Sequence, residues 1–274
     1  MSRSYLFIPG DVPRMLQNLD VFDADAVIID FEDSVADHNK DEARQLTAAF
    51  LKRYTFHRPK LYIRINSTDD LAHCKKDLAS IKDLPIAGIV FPKMNVERLK
   101  ILESLWAKPI DILGILETPD VFFEVLSLAK NPHVKGFLLG AEDLTKALNI
   151  DRSQDGKELL FARSQMIFAA ASTNIEAIDT PFTDVLNEAG LIEDIKQATA
   201  LGCTAKASIH PNHVAFINNA FTPSQEAITA SKRIIAKSEQ TQSMRFSLDG
   251  KMIDKPVIER ARKLLKRAKD YGVL

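Results

Sequence analysis

Short apolar runs rich in β-branched and aromatic residues recur along the chain, and each ends in polar, glycine or proline residues. Eight can be distinguished: Tyr5–Pro9, Ala26–Glu32, Lys60–Asn66, Gly88–Lys93, Asp111–Thr118, Gly136–Asp143, Glu176–Phe182 and Cys203–His210. Runs of this length are typical of buried β-strands. Helical apolar spacing marks segments between them, such as Lys40–Tyr54, Val96–Trp106, Val121–Ala129, Gly156–Ala171 and Leu186–Leu201.

Strands alternating with helices predict an α/β fold, and eight such units predict a (β/α)₈ TIM barrel. A doubly wound open sheet is the competing arrangement, but the chain has no glycine-rich dinucleotide fingerprint. We therefore expect residues 1–222 to form a TIM-barrel catalytic domain.

The chain continues beyond the eighth unit, and we expect residues 223–274 to form a C-terminal helical extension. Pro223–Thr241 has helical spacing, the sequence SLDGKMIDKP is rich in turn residues, and a basic amphipathic helix is predicted from about Val257 to Asp270. Two roles stay open at this point. The extension could pack over the barrel base or form a dimer contact, or it could be a lid that carries a functional residue.

Charge and cysteine content restrict the partners and the compartment. The 36 basic and 37 acidic side chains leave a net charge of −1, which predicts neither a nucleic-acid nor a membrane partner. Cys74 and Cys203 are too few for a disulfide framework. No signal peptide and no membrane-spanning apolar stretch is recognisable, so we expect a cytoplasmic protein.

Polar side chains follow most of the predicted strands, where a barrel of this type has its catalytic mouth. They are Asp30, Glu32, Asp33, Arg64, Asn66, Lys93, Glu117, Glu142, Asp143, Asp179 and His210. Several carboxylates in one mouth repel one another unless a cation compensates them. Oxygen ligands without a cysteine or histidine cluster favour Mg²⁺, with Mn²⁺ as a substitute.

Glu117 and Asp143 are the predicted metal ligands, because they end adjacent strands after apolar runs. Each has an alternative role at a helix N-terminus, Glu117 as a favourable charge and Asp143 as an N-cap. Arg64 could form a salt bridge to Glu32 or Asp33, or could bind a substrate carboxylate in bidentate fashion. Because Lys93 ends a predicted strand, a Schiff-base aldolase stays open as the alternative to a metal lyase.

Taken together, these strand ends resemble the citrate lyase β-subunit and malyl/citramalyl-CoA lyase family, within the HpcH/HpaI aldolase superfamily. The matching pieces run through nearly the whole chain: YLFIPG, VIIDFEDSVADHNKDEAR, YIRIN, IVFPK, GILETP, LGAEDL, DTPFTDVLNEAG, KASIHPNHV, FTPSQEAI and GKMIDKPVIERAR. The resemblance implies a Mg²⁺-bearing barrel that forms homotrimers or multiples of three. It also implies a substrate that is a thioester of coenzyme A or of an acyl carrier protein.

The resemblance assigns further roles residue by residue. Glu117 and Asp143 match the family's metal ligands, Arg64 matches its substrate-binding arginine, and Phe7 matches a substrate-contacting position. Asp254 matches an acidic residue that related lyases bring from a neighbouring subunit, which favours the lid role for the extension.

Three further positions bear on this correspondence. Glu32 and Asp33 are expected behind the ligands, where they would hold metal-bound waters or Arg64. Val12 stands where many relatives have an arginine, so the contacts to the coenzyme A phosphates are not identified.

The implied reaction is a retro-Claisen cleavage of a β-hydroxyacyl thioester by a carbon–carbon lyase. Citramalyl-CoA, giving acetyl-CoA and pyruvate, is the leading substrate, with Arg64 at the carboxylate end and Asp254 as the acid/base. One alternative is a citrate lyase β subunit that converts citryl-ACP into acetyl-ACP and oxaloacetate. An alternative of another class is a catalytically silent assembly or regulatory subunit.

Overall fold

Eight parallel strands close into a barrel in chain order, with β8 hydrogen-bonded to β1. The computed structural model describes residues 2–274 except 57, 107, 109, 154 and 244. The strands are β1 (Ser4–Pro9), β2 (Ala26–Asp30), β3 (Lys60–Arg64), β4 (Gly88–Phe91), β5 (Ile112–Leu116), β6 (Val134–Leu139), β7 (Glu176–Asp179) and β8 (Ala205–Ser208). The predicted (β/α)₈ barrel is therefore confirmed, and the open sheet is wrong.

Helices surround this barrel and follow its strands. They are α1 (Pro13–Gln17), α2 (Lys40–Arg53), α3 (Leu71–Ile81), α4 (Val96–Leu105), α5 (Val125–Ala129), α6 (Ala141–Leu148), α7 (Leu160–Thr173), α8 (Glu188–Leu201) and α9 (Asn212–Phe221). Short 3₁₀ turns cover Asp37–Asn39, Pro119–Phe123 and Lys157–Leu159. Asp70, Asn95 and Asn187 start α3, α4 and α8 by accepting a backbone N–H three residues on, which satisfies an otherwise unpaired donor. None of the described helices is long and apolar enough to cross a bilayer.

The apolar core has two parts because successive strand residues point to opposite faces of the sheet. In β2, Val27 and Ile29 belong to the core between sheet and helices, whereas Ile28 belongs to a cluster inside the barrel. Tyr5 and Tyr62 belong to the same inner cluster. The side to which a strand-end residue points is therefore set by its position in this alternation.

Ser2–Asn218 forms one compact unit and residues 219–274 form a second, so the division falls within α9. The second unit contains α10 (Gln225–Thr241), β9 (Phe246–Leu248), β10 (Lys251–Ile253) and α11 (Lys255–Asp270), and α10 packs against α11. The segment predicted only as turn-rich is an antiparallel hairpin. Its turn residues Asp249 and Gly250 have φ of 51° and 74°, as a two-residue type I′ hairpin turn requires.

Candidate active site

The inward-facing positions of three strands place polar side chains at the C-terminal end of the barrel. Asp30 follows the inner-cluster residue Ile28 by two positions, Arg64 follows Tyr62, and Glu117 follows Ile115. Register pairs Asp30 with Arg64 across β2 and β3. Strand alternation thus turns a charged layer toward the mouth directly above the apolar interior.

A cavity of about 380 Å³ opens at this end of the barrel. Its volume lies within the range of small-molecule sites. The polar and aromatic side chains that line it include Phe7, Asp30, Asp33, Ser34, Arg64, Glu117, Asp143, Thr180 and Thr183. The mouth therefore brings together Phe7, Asp33, Arg64, Glu117 and Asp143, which the sequence predicted as site residues.

Arg64 is held mainly by Asp30, which the sequence analysis placed at a strand end but did not pair with Arg64. Its Nε and Nη2 donate to the two Asp30 carboxylate oxygens at 2.6 Å each. Burial alone would raise the pKa of Asp30, but the Arg64 guanidinium holds that pKa below its usual value. Such a bidentate pair fixes the plane of the guanidinium, and Arg64 lines the cavity.

The predicted partners Glu32 and Asp33 also contact Arg64. Arg64 Nη1 lies 2.9 Å from Glu32 Oε2 and 3.4 Å from Asp33 Oδ2. Burial, together with the neighbouring Asp33, Glu117 and Asp30, raises the pKa of Glu32 to about 8 despite the opposing effect of Arg64. On the other side, Arg64 Cζ lies 5.2 Å from the ring centroid of Phe7, within cation–π distance.

Glu117 is almost completely buried and packs against bare backbone. A Cβ added to Gly140 would lie 2.6 Å from Glu117 Cβ and 2.7 Å from its Oε2, so only glycine fits beside this carboxylate. Its Oε1 accepts a hydrogen bond of 2.5 Å from the backbone N–H of Lys93. Burial, together with the negative charge of Asp143, raises the pKa of Glu117 to about 7.

Asp143 lies in the first turn of α6 and lines the same cavity as Glu117. The N-cap of this helix is Gly140, so the alternative role of Asp143 as the N-cap is wrong. The neighbouring Glu142 instead pairs with Arg152 at 2.6 Å, and its side chain is 62% exposed. Both of these consecutive acids line the cavity, but the carboxylate of Glu142 is engaged by Arg152, whereas the charge of Asp143 acts on Glu117.

Lys93 combines an unusual backbone with a side chain near the acidic group. Its φ of 50° is in the left-handed region, which is uncommon for a residue other than glycine. Its ammonium lies 3.9 Å from Glu32 Oε1. The backbone N–H of Lys93 orients Glu117, which sequence reasoning did not anticipate.

Two predicted strand-end candidates lie elsewhere. Asp179 is buried and points outward, where it pairs with Arg163 and Lys206 instead of facing the mouth. His210 Nδ1 accepts a hydrogen bond of 3.3 Å from the backbone N–H of Asn212, a contact within a local turn. Gly140 and Thr180 were missed, although two-residue alternation from Leu138 and Ile178 would have placed both on the inner face.

A divalent metal ion fits the carboxylates at this mouth. Among the described residues, five carboxyl groups, those of Asp30, Glu32, Asp33, Glu117 and Asp143, cluster near the two cations Arg64 and Lys93. Within the described part of the chain, no three His, Cys, Asp or Glu side chains are grouped to hold a metal by themselves. Glu117 and Asp143 offer hard oxygen donors, and two carboxylates suit an ion that also keeps water and substrate oxygens.

Asp254 lies in the unit formed by residues 219–274. It is the N-cap of α11, and its Oδ1 accepts the backbone N–H of Val257 at 3.3 Å. This contact gives Asp254 a structural role within its own unit. The predicted role as an acid/base at a neighbour's mouth stays a prediction.

The chain is similar to known proteins over nearly its whole length. The profile of the HpcH/HpaI aldolase/citrate lyase family matches residues 3–211. Citrate lyase subunit beta from Escherichia coli strain K12 is 32% identical, covering 99% of this chain and 94% of that protein. The mitochondrial citramalyl-CoA lyase of Rattus norvegicus is 27% identical, covering 96% of this chain and 85% of that protein.

A solved structure agrees with these sequence matches. The crystal structure of protein CitE from Mycobacterium tuberculosis, in complex with magnesium, acetoacetate and coenzyme A, superposes with a TM-score of 0.81 at 28% identity. The superposition covers 97% of this chain and 98% of that one. The likeness therefore includes both the barrel and the sequence that follows it.

Proposed function

The chain belongs to the HpcH/HpaI aldolase/citrate lyase family, and from this membership and the acidic mouth of its barrel we propose a Mg²⁺-dependent lyase that cleaves a β-hydroxyacyl thioester. The predicted family and the predicted carbon–carbon lyase class are confirmed by this membership. The observation that carries the proposal is the pairing of Glu117 and Asp143 in one cavity with the fixed guanidinium of Arg64. Mn²⁺ should replace Mg²⁺, because both ions accept oxygen ligands.

Each residue has a role that its contacts support. Glu117 and Asp143 would hold the ion, which when bound supplies a Lewis acid for the oxygens at the reacting carbon. Arg64, fixed by Asp30, would bind the substrate carboxylate, and Phe7 would contact the substrate beside it. Glu32 and Asp33, both close to Arg64, would keep that guanidinium in place.

The reaction needs one proton to leave and one to arrive. Loss of the β-hydroxyl proton to a base forms a keto group as the carbon–carbon bond breaks. The electron pair passes to the thioester as an enolate, which then takes up a proton. We assign both proton transfers to Asp254 of a neighbouring subunit, so the site would require a homo-oligomer, a trimer or a multiple of three.

Two substrates follow from the relatives. The first is citramalyl-CoA, which the sequence analysis ranked ahead and which would give acetyl-CoA and pyruvate. A citryl thioester on an acyl carrier protein, giving oxaloacetate, is the second, and the similarity to citrate lyase β subunits favours it equally. A silent assembly subunit would not need Arg64, Glu117, Asp143 and Asp254 to be present together. A cytoplasmic location stays a prediction.

A thioester panel tests the proposal directly. Purified protein would be assayed on malyl-, citramalyl- and hydroxymethylglutaryl-CoA and on citryl-CoA and citryl-ACP, with Mg²⁺, with Mn²⁺ and with EDTA. We expect cleavage of at least one thioester, loss of activity in EDTA, and recovery when either metal is restored. Full turnover in chelator would contradict the metal assignment, and no cleavage of any thioester would favour the silent subunit.

Lys93 provides the test against imine chemistry. A Schiff-base aldolase treated with pyruvate and borohydride retains the keto acid on its lysine. We expect no adduct on Lys93 by mass spectrometry, because a metal lyase needs no imine. A reduced pyruvyl adduct at Lys93 would make the aldolase alternative correct.

A further inference from the structure

A buried cluster of four charged side chains lies behind the mouth, between the sheet and helices α7 and α8. Arg163 and Asp194 come from the helices, and Asp179 and Lys206 are paired in register on β7 and β8. The neighbours Ile178 and Ala205 point into the barrel, so Asp179 and Lys206 point away from it. The cluster touches no substrate cavity itself.

Every charge in this cluster is compensated. Arg163 donates to Asp179 at 2.8 Å and 3.1 Å and to Asp194 at 2.7 Å. Lys206 donates to Asp179 at 2.6 Å and to Asp194 at 2.5 Å, and its side chain is 0% exposed. Two cations thus balance two carboxylates, as buried ionised groups require.

Lys206 also makes a bond that Arg163 does not. An ammonium has three donors, and the third hydrogen bond from Lys206 goes to the backbone carbonyl of Thr180 at 2.6 Å. Thr180 begins the irregular segment 180–187 that connects β7 to α8. Thr180, Pro181 and Thr183 line the mouth cavity.

We propose that Lys206 is a positioning residue for the active site, which fixes the wall formed by Thr180–Thr183 through the Thr180 carbonyl. The segment 180–183 belongs to no strand or helix, so ladder bonds do not hold it. Further along, the Val185 carbonyl lies 3.2 Å from His213 Nε2. Lys206 is therefore the anchor at the end of the segment that faces the cavity.

A purely stabilising cluster would predict equal roles for its two cations. Arg163 makes three hydrogen bonds to the carboxylates, against two from Lys206, and is as deeply buried, but none of its hydrogen bonds reaches the segment 180–187 in the described part of the chain. Arg163 therefore provides a matched control for Lys206.

The experiment compares two double variants, each of which keeps one cation and one carboxylate. Lys206→Met/Asp194→Asn removes the bond to Thr180, and Arg163→Met/Asp194→Asn leaves it in place. Thermal unfolding, hydrogen exchange of the amides in 182–187, and kcat and KM would be measured for both. The kinetic arm rests on the proposed lyase function, whereas the exchange arm does not depend on any activity.

We expect both variants to lose stability, but only the Lys206 variant to exchange its 182–187 amides at least about tenfold faster. Its kcat should fall about 100-fold, since small misplacements of a site wall have effects of this size. Equal exchange and equal kcat in the two variants would overturn the proposal. If the Lys206 variant exchanges faster but the wild-type protein cleaves no thioester, the positioning role of Lys206 stands and the proposed lyase function is rejected.

If the methionine variant does not fold, Lys206→Gln/Asp194→Asn takes its place. Its amide is one bond shorter than the lysine, so the site stays polar but the Thr180 carbonyl loses its donor. The same faster exchange and lower kcat are expected. Exchange and kcat like those of the Arg163 variant would overturn the proposal.

Discussion

At the scale of single residues, the environment of each carboxyl group determines what it can do. Glu117 is buried against Gly140 and oriented by the Lys93 amide, whereas Glu142 is exposed and paired with Arg152. Desolvation makes an isolated carboxylate costly, and a bound cation removes that cost. The same residue type is therefore suited to the proposed metal-ligand role at one position and forms a surface ion pair at another.

Substitution of the ligands should separate metal binding from folding. Glu117→Gln and Asp143→Asn should each weaken Mn²⁺ binding at least about tenfold and abolish turnover, because an amide is a poor ligand for a hard cation. Glu142→Gln, one residue from Asp143, is the matched control and should bind Mn²⁺ like the wild type. Titration calorimetry would measure this, and equal affinity in all three variants would remove Glu117 and Asp143 from the metal site.

Glu32 should make the metal-free protein less stable as the pH rises. Its pKa is raised to about 8 in the folded protein, from about 4.5 in the unfolded chain, so the folded state binds more protons between these values. Its contribution to the free energy of unfolding is complete below pH 4.5 and is lost as the pH rises through 8.

Urea unfolding in EDTA at pH 5 and pH 8.5 would measure this loss. Between these two pH values, the free energy of unfolding of Glu32→Gln should fall by about 2–4 kcal/mol less than that of the wild type. The same pH dependence in both proteins would show that Glu32 ionises normally in the folded state.

At the scale of elements, one side chain can serve a helix and a reaction at once. Asp254 accepts the Val257 N–H as the N-cap of α11, and Ser224 accepts the Ala227 N–H as the N-cap of α10. Both caps lie in the unit of residues 219–274, where α10 packs against α11. When Asp254 is substituted, the loss of a catalytic group therefore has to be distinguished from the loss of a helix cap.

Three substitutions make that distinction. Asp254→Ala and Ser224→Ala should each cost about 1 kcal/mol of stability, whereas Asp254→Asn should cost less because asparagine also caps helices. Turnover should fall at least about 100-fold in both Asp254 variants and remain in Ser224→Ala. Full activity in Asp254→Asn would restrict this residue to its capping role.

At the scale of the whole molecule, three exposed phenylalanines lie on neighbouring elements of the barrel surface. Phe123, Phe161 and Phe168 are 84%, 56% and 77% exposed, and α7 packs against both α5 and the 3₁₀ turn that contains Phe123. Large exposed apolar side chains on neighbouring elements are typical of protein–protein interfaces. This surface supports the proposed homo-oligomer.

Mixed oligomers would test whether neighbouring subunits share a site. Arg64→Ala should lose substrate binding and Asp254→Ala should lose proton transfer, so each homo-oligomer alone should be nearly inactive. If equal amounts are dissociated and reassembled together, about one quarter of the mouths should combine an intact Arg64 with a neighbour's intact Asp254. Activity near that fraction is expected, and none in demonstrably mixed oligomers would place Asp254 outside a shared site.

The eight strands, their order and most candidate acids of the mouth could be predicted from the sequence, because apolar periodicity and strand ends are local properties. Glu117 follows β5 directly, Asp143 lies four residues after the end of β6 in the first turn of α6, and both line the cavity. The family motifs extended the prediction to Phe7 and Asp254, which local patterns do not distinguish. The hairpin in 246–253 was recognised only as turn-rich, because its two strands are three residues each.

Only the tertiary structure decided which strand-end residue faces the mouth and which partner holds it. Asp30 and Asp179 each end a strand, yet Asp30 binds Arg64 at the mouth and Asp179 joins a buried cluster behind it. Arg64 and Asp30 are 34 positions apart, and Lys206 reaches a carbonyl 26 positions earlier in the chain. Such contacts arise from barrel closure and strand register, which bring distant residues within hydrogen-bond distance and which no local pattern of residues specifies.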